Sequence, residues 1–406
     1  MTPICRRINP FNSCSQRLAN LRVVIIYLWT FNSMAYDLVF DLKDDLEPLG
    51  IEYNGSITMD WSKNFHGGFG TNGTAFRHLL DINALFKLEK VIGLEDTDVF
   101  IDFQNINGEN GSESDVGDFQ FFSNIDGEGR TQIAELWLEK RLLEDRLRIK
   151  IGKVEVNYEF AYVENGLEFV HSSPGYSPTI LGIPSYPDPA TSVNVFIYPS
   201  EFYLGAGVYD GSLQERIPTG SRGPKTFLDD PSDLFLIGEA GLSWHTSEND
   251  PFPGRLGLGV WHHTGDFQQF DSRQESGTEG VYLLLDQTIA EQNLSDNDSR
   301  EVKLFLQFGY ADDEVSESNF HTGGGITLSG FVPRREYDEV GVMGSYIHFS
   351  NEAGFVESYE FAIETFYKLH LNHYFALKPD LQFIINPGGE GLNDALVGLL
   401  RIEVAF

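Results

Sequence analysis

The C-terminal strand constrains this chain more than any other feature. Leu396, Gly398, Leu400, Ile402, Val404 and Phe406 fall on one face, and Val397, Leu399, Arg401, Glu403 and Ala405 on the other. Successive side chains of a strand point to opposite faces. One face is therefore apolar up to its aromatic last residue, while the other turns charged toward its end. A strand between lipid and water reads this way.

The same period of two recurs upstream. Tyr359, Phe361, Ile363, Thr365, Tyr367 and Leu369 oppose Glu360, Glu364, Lys368 and His370. Phe375, Leu377, Leu381, Phe383 and Ile385 oppose Lys378, Asp380 and Gln382, and Leu147, Ile149 and Ile151 oppose Arg146, Arg148 and Lys150. About sixteen such segments begin near residues 52, 76, 97, 131, 145, 190, 202, 235, 255, 278, 301, 322, 339, 358, 373 and 393. A soluble sandwich would alternate too, so the connections carry the distinction. The first, third, fifth and seventh are long, at about 63–75, 108–130, 155–189 and 212–234. Those between are mostly short, at 92–96, 141–144 and Ser200-Glu201, although 288–300 reads as a charged turn of about thirteen residues. Long loops at one end and tight turns at the other, joining an even number of strands, suit a single-chain membrane barrel.

The expected fold class is all-β, a transmembrane antiparallel β-barrel of about 16 strands over residues 51–406, of the outer-membrane porin type. Sixteen strands enclose a lumen wide enough for water, whereas eight would be filled by side chains. A helical membrane protein is excluded, because each span needs about 20 consecutive apolar residues and no run here reaches eighteen. The mean hydropathy of −0.22 fits a wall in which only alternate residues meet lipid. Trp61, Tyr203, Tyr310, Tyr359, Tyr374 and Phe406 fall near expected strand ends, where aromatic rings favour the membrane interface.

Residues 1–35 read as a cleaved export signal. Arg6, Arg7, Arg17 and Arg22 precede an apolar core from Val23 to Phe31, and Ser33-Met34-Ala35 has the small-x-small form of a cleavage site. Residues 36–50 then form an N-terminal periplasmic segment with a possible short helix. Cys5 and Cys14 both leave with the signal, so no disulfide or cysteine-metal site is expected. The four arginines lost with it leave 24 basic against 61 acidic residues, a net charge of −37. Such a field disfavours nucleic acid and anionic polymers as partners. Outer-membrane lipids and lipopolysaccharide are the expected surroundings, with divalent cations as bridges. No cofactor is expected, although the acidic segments 107–118 and 295–301 could hold Ca²⁺ weakly, without EF-hand spacing.

Catalytic motifs are absent. Gly67-Gly-Phe-Gly70 lacks the ending of a phosphate loop, there is no Gly-x-Ser-x-Gly and no His-Glu-x-x-His, and His262-His263 point to opposite faces of a strand. The chain reads as no enzyme. A pore must bind its solute weakly enough to release it, so its useful groups are scattered. The polar faces carry Asp60, Asp81, Lys87, Asp102, Glu135, Trp137, Arg148, Lys150, Glu239, Trp261, Arg401 and Glu403. Both charge signs with Trp suit a sugar, whose hydroxyls hydrogen-bond and whose C–H faces stack on rings. Glu135 and Trp137 beside Arg148 and Lys150 form the most compact candidate cluster. The plainer reading is that such residues pair across the wall and keep the lumen wet. The longest connection, 155–189, carries Tyr158, Glu159, Tyr162, Glu164, Asn165 and Phe169, then five prolines. A long proline-stiffened loop is usually functional or disordered; it either folds inward as a constriction or caps the barrel.

Several segments, in order, resemble the carbohydrate-selective porin family (OprB). They are Ala134-Glu-Leu-Trp-Leu138 with Ile151-Gly-Lys153, Gly207-Val-Tyr-Asp210, and Gly259-Val-Trp-His-His-Thr-Gly-Asp-Phe267. Ser329-Gly330 through Pro333-Arg334 to Asp338, Glu364-Thr-Phe-Tyr367, and Lys378-Pro-Asp-Leu-Gln-Phe-Ile-Ile-Asn-Pro-Gly388 follow. The resemblance runs from about residue 50 to the end. It implies a sixteen-stranded bacterial outer-membrane channel, monomeric, passing glucose and related mono- and oligosaccharides by diffusion. The long basic leader and the acidity depart from the family pattern and leave a general or cation-preferring pore as the alternative. A membrane-embedded hydrolase and a soluble all-β binding module are the remaining readings, each without a motif in its favour.

Overall fold

The computed structural model describes residues 43, 45–223, 225, 233–244, 252–295 and 298–406. The expected signal, its cleavage site and most of the 36–50 segment lie outside the described residues; what is described there ends in a 3-10 turn at Glu47–Leu49. The strands of the first half are β1 (Ile51–His66), β2 (Ala75–Lys87), β3 (Thr97–Gly108), β4 (Arg130–Leu142), β5 (Leu147–Val154), β6 (Ala190–Ile197), β7 (Phe202–Asp210) and β8 (Leu234–Trp244). The second half holds β9 (Gly254–Gln268), β10 (Gln274–Ser295), β11 (Asp298–Ala311), β12 (Ser318–Ser329), β13 (Glu339–Phe349), β14 (Tyr359–Asn372), β15 (Phe375–Ile385) and β16 (Ala395–Ala405). All pair antiparallel with their chain neighbours, and β1 closes onto β16 with Asp60 opposite Arg401. Every strand starts within four residues of its expected position.

The wall is inside-out relative to a soluble protein. Glu360, Glu364, Lys378, Gln382 and Arg401 point inward and are at most 5% exposed, whereas Leu258 and Val260 on the outer face are 57% and 56% exposed. Leaving one such aliphatic side chain in water forgoes about 1.5–3 kcal/mol. Repeated around the wall, that loss requires lipid outside, so the soluble-module reading fails. No described helix is long and apolar enough to cross a membrane; the strands do the crossing.

Three expectations need correction. Residues 288–300 are not a turn, because β10 and β11 pair through Ser295 and Asp298 as an extended hairpin. Charge there hides the strand, since pairing needs only the backbone and alternation reports burial. The loop-length parity holds in the first half but fades in the second, where loops 269–273 and 312–317 are shorter than the turn 330–338 at the opposite end. Tyr203 is also not an interface aromatic. It lies inside the barrel, 8% exposed.

A register shift places the candidate cluster. Asp102 pairs with Glu135 and Phe103 with Ile133, so Ala134 is a bulge on β4. With one residue extra, both Gln132 and Glu135 face the lumen. Gly152 of the Ile-Gly-Lys motif sits opposite Trp137 at φ +147°, where a Cβ would lie 2.2 Å from the Leu136 carbonyl.

Candidate functional site

Residues 155–189 run inside the barrel between β5 and β6. Their only regular structure is a pair of 3-10 turns, Val156–Tyr158 and Glu164–Gly166, so most of their backbone N–H groups need partners elsewhere. Lumen-facing carboxylates from four strands accept them. The N–H of Glu155 donates to Glu135 on β4 at 2.9 Å, that of Ala161 to Glu239 on β8 at 3.1 Å, and that of Asn165 to Asp286 on β10 at 2.9 Å. Val170 and His171 both donate to Glu364 on β14, at 2.7 and 3.0 Å. Glu239 is itself held by the hydroxyls of Tyr203 and Tyr282, at 2.6 and 2.8 Å. The wall is shaved to receive the loop: a Cβ at Gly309 would lie 2.1 Å from Ser177 Oγ. Phe169 is 1% exposed and packs edge-on against Phe305 and Phe366, with centroids 5.6 and 5.1 Å away.

Two ion-pair clusters pin the loop's charged residues. Arg148 reaches Glu159 at 2.5 Å and Glu139 at 3.1 Å, Lys150 also pairs with Glu159, and Arg141 bridges Asp98 and Glu139 at 2.8 and 3.2 Å. Elsewhere on the wall Glu168 meets Lys368 at 2.7 Å and Lys378 at 2.9 Å, and Glu403 meets the same two lysines at 3.1 and 3.0 Å. Burial alone would raise the Glu168 carboxyl, but the ammonium groups of Lys378 and Lys368 prevail and hold it down at about 2. Arg255 donates to the Tyr162 carbonyl at 2.5 Å and pairs with Asp286 at 3.1 Å, and the Asn165 side chain reaches the Leu304 carbonyl at 3.0 Å.

The structure gives the candidate residues distinct jobs. Glu135 and Glu239 are spent on the loop backbone. Trp137 has both ring faces occupied, one by Phe100 at 4.9 Å and one by the Lys150 ammonium at 3.9 Å, so it offers solute only an edge. Trp261 is 2% exposed and stacked on Phe235. Arg401 makes two 2.8 Å bonds to Asp60 and one of 2.7 Å to Asn124 of the 109–129 loop. Lys87 is paired with Glu52 near the end where the described chain begins and ends. Glu164 is exposed and, with Arg255, Lys303 and Glu339, lines a cavity of about 570 Å³ under the loop at that end. Tyr158 is 61% exposed although it sits between two anchors inside the barrel. Asp81 and Asp102 lie on the neighbouring β2–β3 wall.

Asp286, Glu364, Lys368, Lys378 and Arg255 were not singled out from sequence as site residues. Glu364 and Lys378 also open family-like segments; otherwise their only signal was a place on the polar face, which every lumen residue shares. Phe100 also escaped, although Asp98 and Asp102 at two residues either side mark it as inward. The 109–129 loop is docked in the same manner: Glu360 accepts the N–H groups of Phe119 and Gln120 at 2.7 and 3.1 Å. Its Asp126 pairs with Arg77 at 2.5 Å, yet burial outweighs the guanidinium and pushes the carboxyl up to about 6. Among the described residues no group of three His, Cys, Asp or Glu is arranged to hold a metal.

A closed sixteen-stranded barrel with a long loop packed into its lumen is a porin architecture, and the family comparison decides which. The model of the carbohydrate-selective porin, OprB family, matches residues 71–406. The chain belongs to that family. Porin B of Pseudomonas aeruginosa is 20% identical over 412 residues, covering 90% of this chain and 89% of that protein. A high-pH structure of Pseudomonas putida OprB superimposes with a TM-score of 0.77 at 18% identity, over 89% of this chain and 96% of that one. A low-pH structure of the same protein gives 0.59 at 14% identity, over 89% and 95%. At these identities the structures speak for the fold alone. The family establishes a carbohydrate-selective porin of the outer-membrane β-barrel type, and the inward carboxylates of this porin acquire a context: they dock loops in a channel.

Proposed function

We propose that this porin passes neutral mono- and oligosaccharides such as glucose by diffusion, through a lumen narrowed by residues 155–189. The observation that carries the reading is the set of four wall carboxylates holding that loop across the barrel interior. A loop docked at intervals on β4, β8, β10 and β14 narrows the channel without closing it, as a selective but leaky pore requires. The same pairings weaken the cation-preferring alternative. Much of the lumen acidity is already matched by Arg, Lys or loop N–H groups, so the chain's net charge overstates the field a solute meets. In this reading the protein works as a monomer among outer-membrane lipids and lipopolysaccharide, performs no chemistry on its solute and needs no resident cofactor. The test is single-channel conductance in a planar bilayer with glucose or maltose titrated in. Saturable block by sugar supports the proposal. Strong cation selectivity with no sugar effect would transfer it to the alternative.

A further inference from the structure

Most lumen aromatics are already covered. Trp137 lies between Phe100 and Lys150, Trp261 is stacked on Phe235, and Phe196 is 4% exposed beneath Arg148. Tyr158 differs. It closes the 3-10 turn Val156–Tyr158, its N–H donating to the Glu155 carbonyl at 3.2 Å. The anchors on either side, Glu155 on Glu135 and Glu159 on Arg148, fix that turn to the wall. The side chain is nevertheless 61% exposed, and among the described residues no ring or cation stacks on it. A side chain exposed while its backbone is held inside the barrel faces the water-filled lumen.

Glu155, which opens the turn, is bound to Glu135 on β4; Glu135 stands opposite Asp102 on β3, and Asp102 opposite Asn83 on β2, so the turn is fixed beside the β2–β3 wall. Asp81 is oriented by two amides, accepting from Asn83 at 3.1 Å and from Gln104 at 3.2 Å. The register sets Asp81 beside Gln104 and Asn83 beside Asp102, so carboxylates and carboxamides alternate on one patch of the β2–β3 wall. A carboxylate accepts from vicinal hydroxyls and a carboxamide both donates and accepts. An aromatic face takes up the C–H side of a pyranose ring.

We infer that Tyr158, with Asp81 and Asn83 on the neighbouring β2–β3 wall, is the subsite where this porin reads a neutral pyranose, and that its carboxylates turn away anionic sugars. This deepens the sugar-passage reading and rests on it. The ring supplies stacking, the fixed acceptors supply hydroxyl recognition, and the acidic surround rejects a uronate by like-charge repulsion.

The experiment is glucose and glucuronate block of single-channel current for the wild type, Tyr158→Ala, Tyr158→Phe and Asp81→Asn. Any variant that conducts as a discrete channel is a folded barrel. Tyr158→Ala should raise the half-blocking glucose concentration about tenfold, the size of one lost stacking contact. Tyr158→Phe, which keeps the ring, should stay within about twofold. Asp81→Asn should weaken glucose block and relax the exclusion of glucuronate, a change that loss of packing alone would not produce. Wild-type titration curves in Tyr158→Ala, or equal block by glucuronate and glucose in the wild type, would overturn the subsite alone. A wild-type channel that no sugar blocks would overturn the passage reading and the subsite together.

Discussion

Truncating Phe169 to alanine tests whether the inward loop limits the current. The ring is 1% exposed, lies edge-on to Phe305 and Phe366, and occupies space left by Gly341, where a Cβ would come within 2.9 Å of it. Removing a buried phenylalanine costs about 3–5 kcal/mol, since transfer and cavity terms add. The polar anchors next to it survive, because Glu364 still accepts from Val170 and His171. Two hydrogen bonds to a carboxylate contribute about 1.5–3 kcal/mol each, so the anchoring of this segment is roughly halved and not abolished. At tenfold per 1.4 kcal/mol, the opened loop becomes about 10² to 4 × 10³ times more populated. The barrel ladder is untouched, so the variant should still fold and insert. Planar-bilayer recordings should show noisier currents of higher mean conductance, and limited proteolysis should cut within 155–189 faster than in wild type. Currents as quiet and as small as wild type, with unchanged protease resistance, would refute the reasoning.

Glu239→Ala strands the hydroxyls of Tyr203 and Tyr282 and the N–H of Ala161; at about 1–3 kcal/mol per unpaired buried group, amide exchange near residue 161 should rise by at least tenfold. Arg401→Ala leaves the fully buried Asp60 without its ion-pair partner, with only the Ser123 hydroxyl still donating to it, and should cost about 3–5 kcal/mol, read as a lower temperature for loss of the folded barrel's gel mobility. The two docked loops should respond oppositely to pH. Asp126 has its folded pKa raised to about 6 from 3.8, so its contribution to docking the 109–129 loop is fullest below about pH 4 and lost as pH rises through 6. Glu168 is depressed to about 2 from 4.5, so its anchor is present above about pH 4.5 and lost only as pH falls through 2. Between pH 5 and 8, exchange corrected for intrinsic rate should increase around 126 and stay flat around 168; parallel behaviour of the two would contradict these assignments.

The fold was legible because a barrel wall imposes its signal on every strand. Lipid outside and water inside force alternation at each residue pair, so β16 could be assigned to its inward and outward faces from Leu396 to Phe406 without any partner. The hairpin at 288–300 was misread for the complementary reason. Its charged sequence carries no alternation, and backbone pairing, which needs none, continues unseen.

The site was legible only as a list of inward residues. Sequence put Glu135, Trp137, Arg148 and Lys150 together, and they are indeed neighbours on β4 and β5. It could not say that Glu135 is spent on the Glu155 amide, or that Trp137 has no free face, because both depend on where residues 155–189 lie. Period two therefore determined the barrel, its strand number and the inward set. Only the tertiary structure decided which inward groups dock loops and which stay open to the lumen, since a carboxylate looks the same in sequence whether it accepts an amide N–H or is left free of one.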